Sequence, residues 1–205
     1  MNSQPVDLAD KAAVLAALAK ALKESGRLTN VVFLQRFRGE GDTWQGELDV
    51  SLTATKLVIE RLAGEFVRQR RDALNSIVIC GSNASRLVAG EQPVGYHAAK
   101  AALRQMARYY ACSLAPRGIR VNCVTPGIVL KDEAREYYRK NADLHALYCR
   151  MTPLGRMGSP RDIAEAVSFL CGSGAAFITG QEIIVDGGLS LLWQASLGTA
   201  LAKPT

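Results

Sequence analysis

Tyr96 and Lys100 stand four residues apart in the run Tyr96-His97-Ala98-Ala99-Lys100, and Ser82 lies fourteen residues upstream. On a helix, residues i and i+4 sit one above the other, so an ammonium at the second position can approach a phenol at the first. A free tyrosine titrates at a pKa of about 10, and a neighbouring cation favours its phenolate, which brings a proton donor and acceptor closer to neutral pH. A serine hydroxyl beside the pair can polarise a carbonyl. The three groups together suit reduction of a ketone, where hydride arrives at carbon and a proton at oxygen. Tyr and Lys at this spacing are also common on solvated helix faces, so the argument depends on the elements around them.

Those elements alternate. Asp10 precedes Val14, Leu15, Leu18 and Leu22, the stripe of an amphipathic helix that ends near Gly26. Residues 30–34 (NVVFL) read as a buried strand, residues 39–46 as a polar loop, and residues 47–69 as a helix with Leu48, Leu52, Val58, Ile59, Leu62 and Phe66 on one stripe. Residues 76–80 (SIVIC) predict a second buried strand, residues 93–114 a long helix crowded with alanine, and residues 120–125 a third strand that stops at Pro126-Gly127. The charged, tyrosine-rich stretch to residue 150 reads as a lid or substrate loop. Ser159-Pro160-Arg161-Asp162 is a helix start, with serine to cap, proline at the first helical position and Asp162 to close a capping box. Residues 182–185 (EIIV) form a last strand before Asp186-Gly187-Gly188. The alternation implies an α/β domain on a parallel sheet with helices on both faces.

The composition bounds the function. At 205 residues with 48% hydrophobic and 21% charged residues, the chain reads as one soluble globular domain, which excludes a disordered, collagenous or disulfide-stapled protein. No apolar run reaches the roughly 18 to 20 residues that span a bilayer. Five cysteines without a CxxC or Cys/His cluster fit a reducing cytoplasm. The net charge of +6 is spread over separate groups, Arg36 with Arg38, Arg68 with Arg70 and Arg71, and Arg117 with Arg120, so a nucleic-acid surface is not expected. His97 and His145 have no set of metal-binding neighbours in the sequence.

The ordered set SIVICGS, Tyr96 to Lys100, RGIRVNCVTPG, the Ser-Pro helix start and TGQEIIVDGG resembles the short-chain dehydrogenase/reductase (SDR) family over roughly residues 7 to 190, and within it the 3-oxoacyl-carrier-protein reductase branch. The resemblance implies a catalytic Ser82, Tyr96 and Lys100, with Ser85 as a second candidate for the serine. It places Ser51 where the family has an asparagine that holds a relay water. It also implies a Rossmann-like, doubly wound sheet of strand order 3-2-1-4-5-6-7, of which this chain carries a partial version without the N-terminal strands and their glycine-rich pyrophosphate turn. Residues 30–34 then become an edge strand whose Val31 and Phe33 need cover. The family's Asn-Asn-Ala-Gly turn falls on Phe33-Leu34-Gln35-Arg36, and its nicotinamide-side threonine on Lys131. Pro126 and Gly127 are the cofactor positions that remain.

The expectation is therefore a ketoreductase-like subunit of one domain that holds no cofactor by itself. It would assemble with SDR subunits, as a homo- or hetero-oligomer, through the helices at residues 47–69 and 93–114, with NADP(H) entering through a complete partner. Family carrier-protein reductases dock their acidic carrier with arginines, and the corresponding positions are Arg117 and Arg70 or Arg71. The competing expectation is an enzyme using Ser82, Tyr96 and Lys100 itself, either to reduce a ketone with NADP(H) or for cofactor-free isomerisation or cyclisation. Residues 193–205 extend past the family's end as a tail, expected to cover a neighbouring subunit or to be disordered.

Overall fold

A computed structural model describes residues 4–25, 28–66 and 75–202. Helix α1 (Lys11–Ser25) starts on Asp10, whose Oδ1 accepts from the amides of Ala12 and Ala13 at 2.8 and 3.0 Å, the bonding of an N-cap. Strands β1 (Asn30–Phe33), β2 (Asn75–Cys80), β3 (Ile119–Pro126) and β4 (Glu182–Val185) form one parallel sheet in the order β1-β2-β3-β4. Each crossover carries at least one helix, as parallel pairing requires: α2 (Thr43–Glu47) and α3 (Ala54–Leu62) between β1 and β2, α4 (Val94–Leu114) between β2 and β3, and α5 (Arg135–Lys140), α6 (Ala142–Met151) and α7 (Pro160–Cys171) between β3 and β4.

Alternation along the strands separates two cores. Ile77, Ile79, Val121, Cys123 and Phe33 face α3 and α4, with Leu18 and Leu22 of α1 packed on the same cluster. Val78 and Val124 point the other way, onto Leu170 of α7 and Ala175. A four-stranded parallel sheet with helices on both faces is thus the observed architecture. Strand β1 is an edge among the described residues. Val31 and Phe33 find their cover in this chain's own α1 and α3 side, while Val32, on the opposite face, is 39% exposed.

Three readings of the sequence change. The helix expected from residue 47 begins at Thr43, inside the stretch read as loop, because the Asp42 side chain accepts from Trp44 N at 2.8 Å and caps it. Gly46 belongs to that helix. Its helical part ends at Leu62, residues 63–66 leave the helix in a turn and a bridge at Phe66, and residues 67–69 of the expected span lie outside the described residues. Between α2 and α3 the backbone widens into a π-helical turn, Leu48–Thr53. The tail is no loose extension: Gln194–Ala202 forms α8, which packs against α6 and accepts a hydrogen bond from Arg150 at its Leu201 carbonyl.

Candidate functional site

The carboxyl ends of parallel strands are where α/β sheets bind ligands, and a cavity of about 760 Å³ opens there, at Cys80 of β2 and Pro126 of β3. Ser82, Tyr96, Lys100, Pro126 and Gly127 all line it. Ser82 lies two residues past the end of β2 and caps the short 3₁₀ turn Asn83–Ser85, its Oγ accepting from Ala84 N at 3.2 Å. Ser85 is part of that turn and does not reach the cavity wall. Geometry therefore separates the two serine candidates in favour of Ser82. Gly127 has to be glycine, since a Cβ there would stand 2.5 Å from the Cβ of Asp186.

Tyr96 lies in the first turn of α4, and α4 can sit this close to α2 because position 95 is glycine: an added Cβ would come within 2.9 Å of the Trp44 Cα. Lys100, one turn on, is 3% exposed, its Nζ 5.7 Å from the Tyr96 ring centre and donating to the Cys80 carbonyl at 2.9 Å. Burial pulls the Lys100 pKa down, partly offset by the thiol of Cys80 and the carboxylate of Glu47. Burial likewise pushes the Cys80 thiol up, against the pull of Lys100 and Lys131.

Leu34 and Arg36 also line the cavity. Gln35 between them turns away and donates to Thr55 Oγ1 at 2.6 Å. The Arg36 guanidinium lies 4.6 Å from the centre of the Tyr96 ring, on the scale of a cation–π contact. It is pinned by Nη2 donating to Gln92 Oε1 at 3.1 Å and Nε to the Phe37 carbonyl at 3.4 Å. Lys131, Asp132 and Glu133 also line the cavity.

Ser51 is not brought to this cavity. It sits in the π turn, fully buried, with its hydroxyl donating to Glu47 Oε2 at 2.6 Å and its carbonyl accepting from Thr55 Oγ1 at 2.7 Å. Arg117 is exposed in the turn before β3, at the end of the strand opposite the cavity. Arg70 and Arg71 lie outside the described residues. Among the described residues no group of three His, Cys, Asp or Glu could hold a metal ion, and no helix is long and apolar enough to cross a membrane.

Sequence reasoning missed the use of His97. Its Nε2 faces the Ala89 amide and its Nδ1 the Pro93 carbonyl, both at 3.0 Å, which fixes the segment carrying Gln92, the partner of Arg36. It also missed Glu47, a charged residue at 1% exposure; an acidic position inside an otherwise apolar helix stripe was the available signal.

Comparison with known proteins agrees with this architecture. The profile of the family described as Enoyl-(Acyl carrier protein) reductase matches residues 3–190. An "Inactive 2-(S)-hydroxypropyl-CoM dehydrogenase 2" from Xanthobacter autotrophicus is 37% identical over 196 residues, 91% of this chain and 84% of that protein. The 3-oxoacyl-[acyl-carrier-protein] reductase FabG of Aggregatibacter actinomycetemcomitans is 34% identical over 148 residues, 72% of this chain and 58% of that one. Among solved structures, a gluconate 5-dehydrogenase from Burkholderia cenocepacia in complex with NADP and tartrate superposes with a TM-score of 0.74 at 27% identity, covering 91% of this chain and 74% of that one. The chain belongs to the short-chain dehydrogenase/reductase family.

Proposed function

We propose that this chain is a ketoreductase-like SDR subunit that does not hold nicotinamide itself and assembles with a complete NADPH-dependent reductase. The observation that carries the reading is Arg36, packed on Tyr96 and pinned by Gln92 and Phe37 inside the cavity. SDR proteins use small residues in this turn, which let the backbone approach a ligand; here Leu34 and Arg36 project side chains into the same space. Charge adds to shape. A nicotinamide that has given up hydride is a cation, and Arg36 and Lys131 line the cavity at positions where the resemblance expects an uncharged residue. Like unit charges about 5 Å apart repel by roughly 3 kcal/mol at an effective dielectric of about 20. The residues present do not fit that group.

The partner role is supported by the exposed apolar surface on α4, where Val94 and Tyr109 are 72% and 66% exposed, and by the name of the inactive Xanthobacter relative, to which this chain aligns along most of its length. Likeness to a carrier-protein reductase supports an acyl carrier as the acidic partner, with exposed Arg117 as its contact. Co-expression with the complete SDR reductase encoded nearest to it, followed by co-purification and NADPH titration by fluorescence, tests the reading. Expected are a stable hetero-oligomer and no saturable NADPH binding by the chain alone. A chain that stays alone, or that binds NADPH by itself, overturns it.

A second reading, cofactor-free isomerisation or cyclisation, is supported by Ser82, Tyr96 and Lys100, which all line the one cavity. It requires turnover without NADPH that is lost in Tyr96→Phe.

A further inference from the structure

The cations that disfavour nicotinamide in this cavity leave it with donors that suit an anion. Arg36 has five N–H donors, and two go to Gln92 and Phe37. Its Nη1 has no hydrogen bond or carboxylate partner among the described residues, and neither has the Lys131 ammonium. The acids on the wall are engaged elsewhere: Asp132 accepts from Arg135 at 2.8 Å, and Glu133 faces Arg38 at 3.9 Å. Lys100 is buried and bonded to the Cys80 carbonyl. A cavity thus presents a free guanidinium edge and a free ammonium next to two hydroxyls, those of Ser82 and Tyr96.

We infer that this cavity binds a small carboxylate, held by Arg36 and Lys131 beside the Ser82 and Tyr96 hydroxyls. The inference rests on the reading that nicotinamide does not occupy this end of the cavity. A planar guanidinium fixed on an aromatic face offers a carboxylate parallel donors at little further loss of side-chain freedom. Leu34, Val129, Ile163 and Val167 supply apolar wall. That wall favours a monoanion with a short hydrocarbon end over a dianionic phosphate, whose desolvation costs more. The ligand class is therefore an aliphatic monocarboxylate, and one that also bears a carbonyl would place it within reach of Ser82 and Tyr96.

Isothermal titration calorimetry on the full chain with acetoacetate, its uncharged methyl ester and inorganic phosphate tests this. Acetoacetate binds, the ester binds at least about tenfold more weakly, and the wild-type affinity falls as salt rises. Arg36→Gln and Lys131→Gln each weaken acetoacetate about tenfold, and Arg36→Lys, which keeps the charge and loses the fork, falls between. Circular dichroism of each variant shows that it is folded, and exposed Lys131 gives a reading even if the Arg36 variants are not. Equal binding of acid and ester, unchanged affinity in Lys131→Gln, or phosphate binding in preference to acetoacetate overturns the inference. The outcome is separable from the partner role: a chain that binds acetoacetate and never joins a reductase sustains this site and removes that role, and a chain that joins a reductase and ignores acetoacetate does the reverse.

Discussion

Ser51 donates a 2.6 Å hydrogen bond to the carboxylate of Glu47 one turn earlier, and the two side chains are 0% and 1% exposed. The bond occupies the only proton Ser51 can donate, so its hydroxyl is turned to Glu47 and not to the cavity. It also gives a buried carboxylate a partner, helped by the Phe37 amide at 3.5 Å. A buried acceptor stripped of its donor costs about 1–3 kcal/mol. Ser51→Ala is therefore expected to lower unfolding free energy by about that amount in urea titrations. A double-mutant cycle with Glu47→Gln should show coupling of roughly 0.5–3 kcal/mol. Glu47→Leu should cost more than Glu47→Gln, because glutamine keeps an oxygen that accepts from the Ser51 hydroxyl and leucine does not. Additive variants with unchanged stability would show that the pair is incidental.

Tyr110 makes a prediction at alkaline pH. Its hydroxyl donates to Glu60 Oε1 at 3.3 Å, and burial followed by the negative charge of Glu60 pushes its pKa up to about 12. The unfolded phenol releases its proton near pH 10, so between the two values the unfolded state binds fewer protons than the folded one, and stability falls as pH rises. Tyr110→Phe removes this proton. Urea unfolding between about pH 9 and pH 11.5 should show a steeper loss for the wild type than for Tyr110→Phe; parallel curves would mean that the phenol is not held neutral.

The family, and the meeting of Ser82, Tyr96 and Lys100 at one cavity, were legible because they are written in local patterns: continuous apolar, β-branched strand runs, the four-residue Tyr96 to Lys100 spacing, and the Ser159/Asp162 box, whose two reciprocal bonds the structure contains. What the pattern hid depends on contacts distant in sequence. The choice of Ser82 over Ser85 follows from how the turn after β2 meets β3 and β4, where Asn83 donates to Asp186 at 2.9 Å across the sheet. Arg36 stands out in sequence only through the resemblance, which expects a small residue there; its seat on Tyr96 needs Gln92, 56 residues away. The start of α2 was hidden for a different reason. Gly41, Asp42 and Gly46 carry loop composition, and a single cap bond at Asp42 outweighs it.

Asp162 ties the acid limit of stability to the cavity. It accepts two bonds from Arg156, at 2.8 and 2.7 Å, together with the Ser159 amide and hydroxyl, both at 2.7 Å, at the start of α7. The Arg156 guanidinium first, then Ser159, hold its carboxyl well below the ordinary carboxylate range. A group with a depressed folded pKa contributes stability that is fully present above its unfolded value of 3.8 and is lost as pH falls towards the folded one. Asp162→Asn should therefore be less stable than wild type at neutral pH, and the difference should shrink as pH drops below about 4. Thermal melts followed by circular dichroism from about pH 3 to pH 7 read both parts. Because Pro160 and Ile163 of the same helix turn line the cavity, Asp162→Asn should also loosen acetoacetate binding at neutral pH, whereas Arg161→Gln, which breaks only the exposed 3.5 Å pair with Glu165, should leave both stability and binding near wild type. A variant pair that behaves identically would show that the cap does not position this wall of the site.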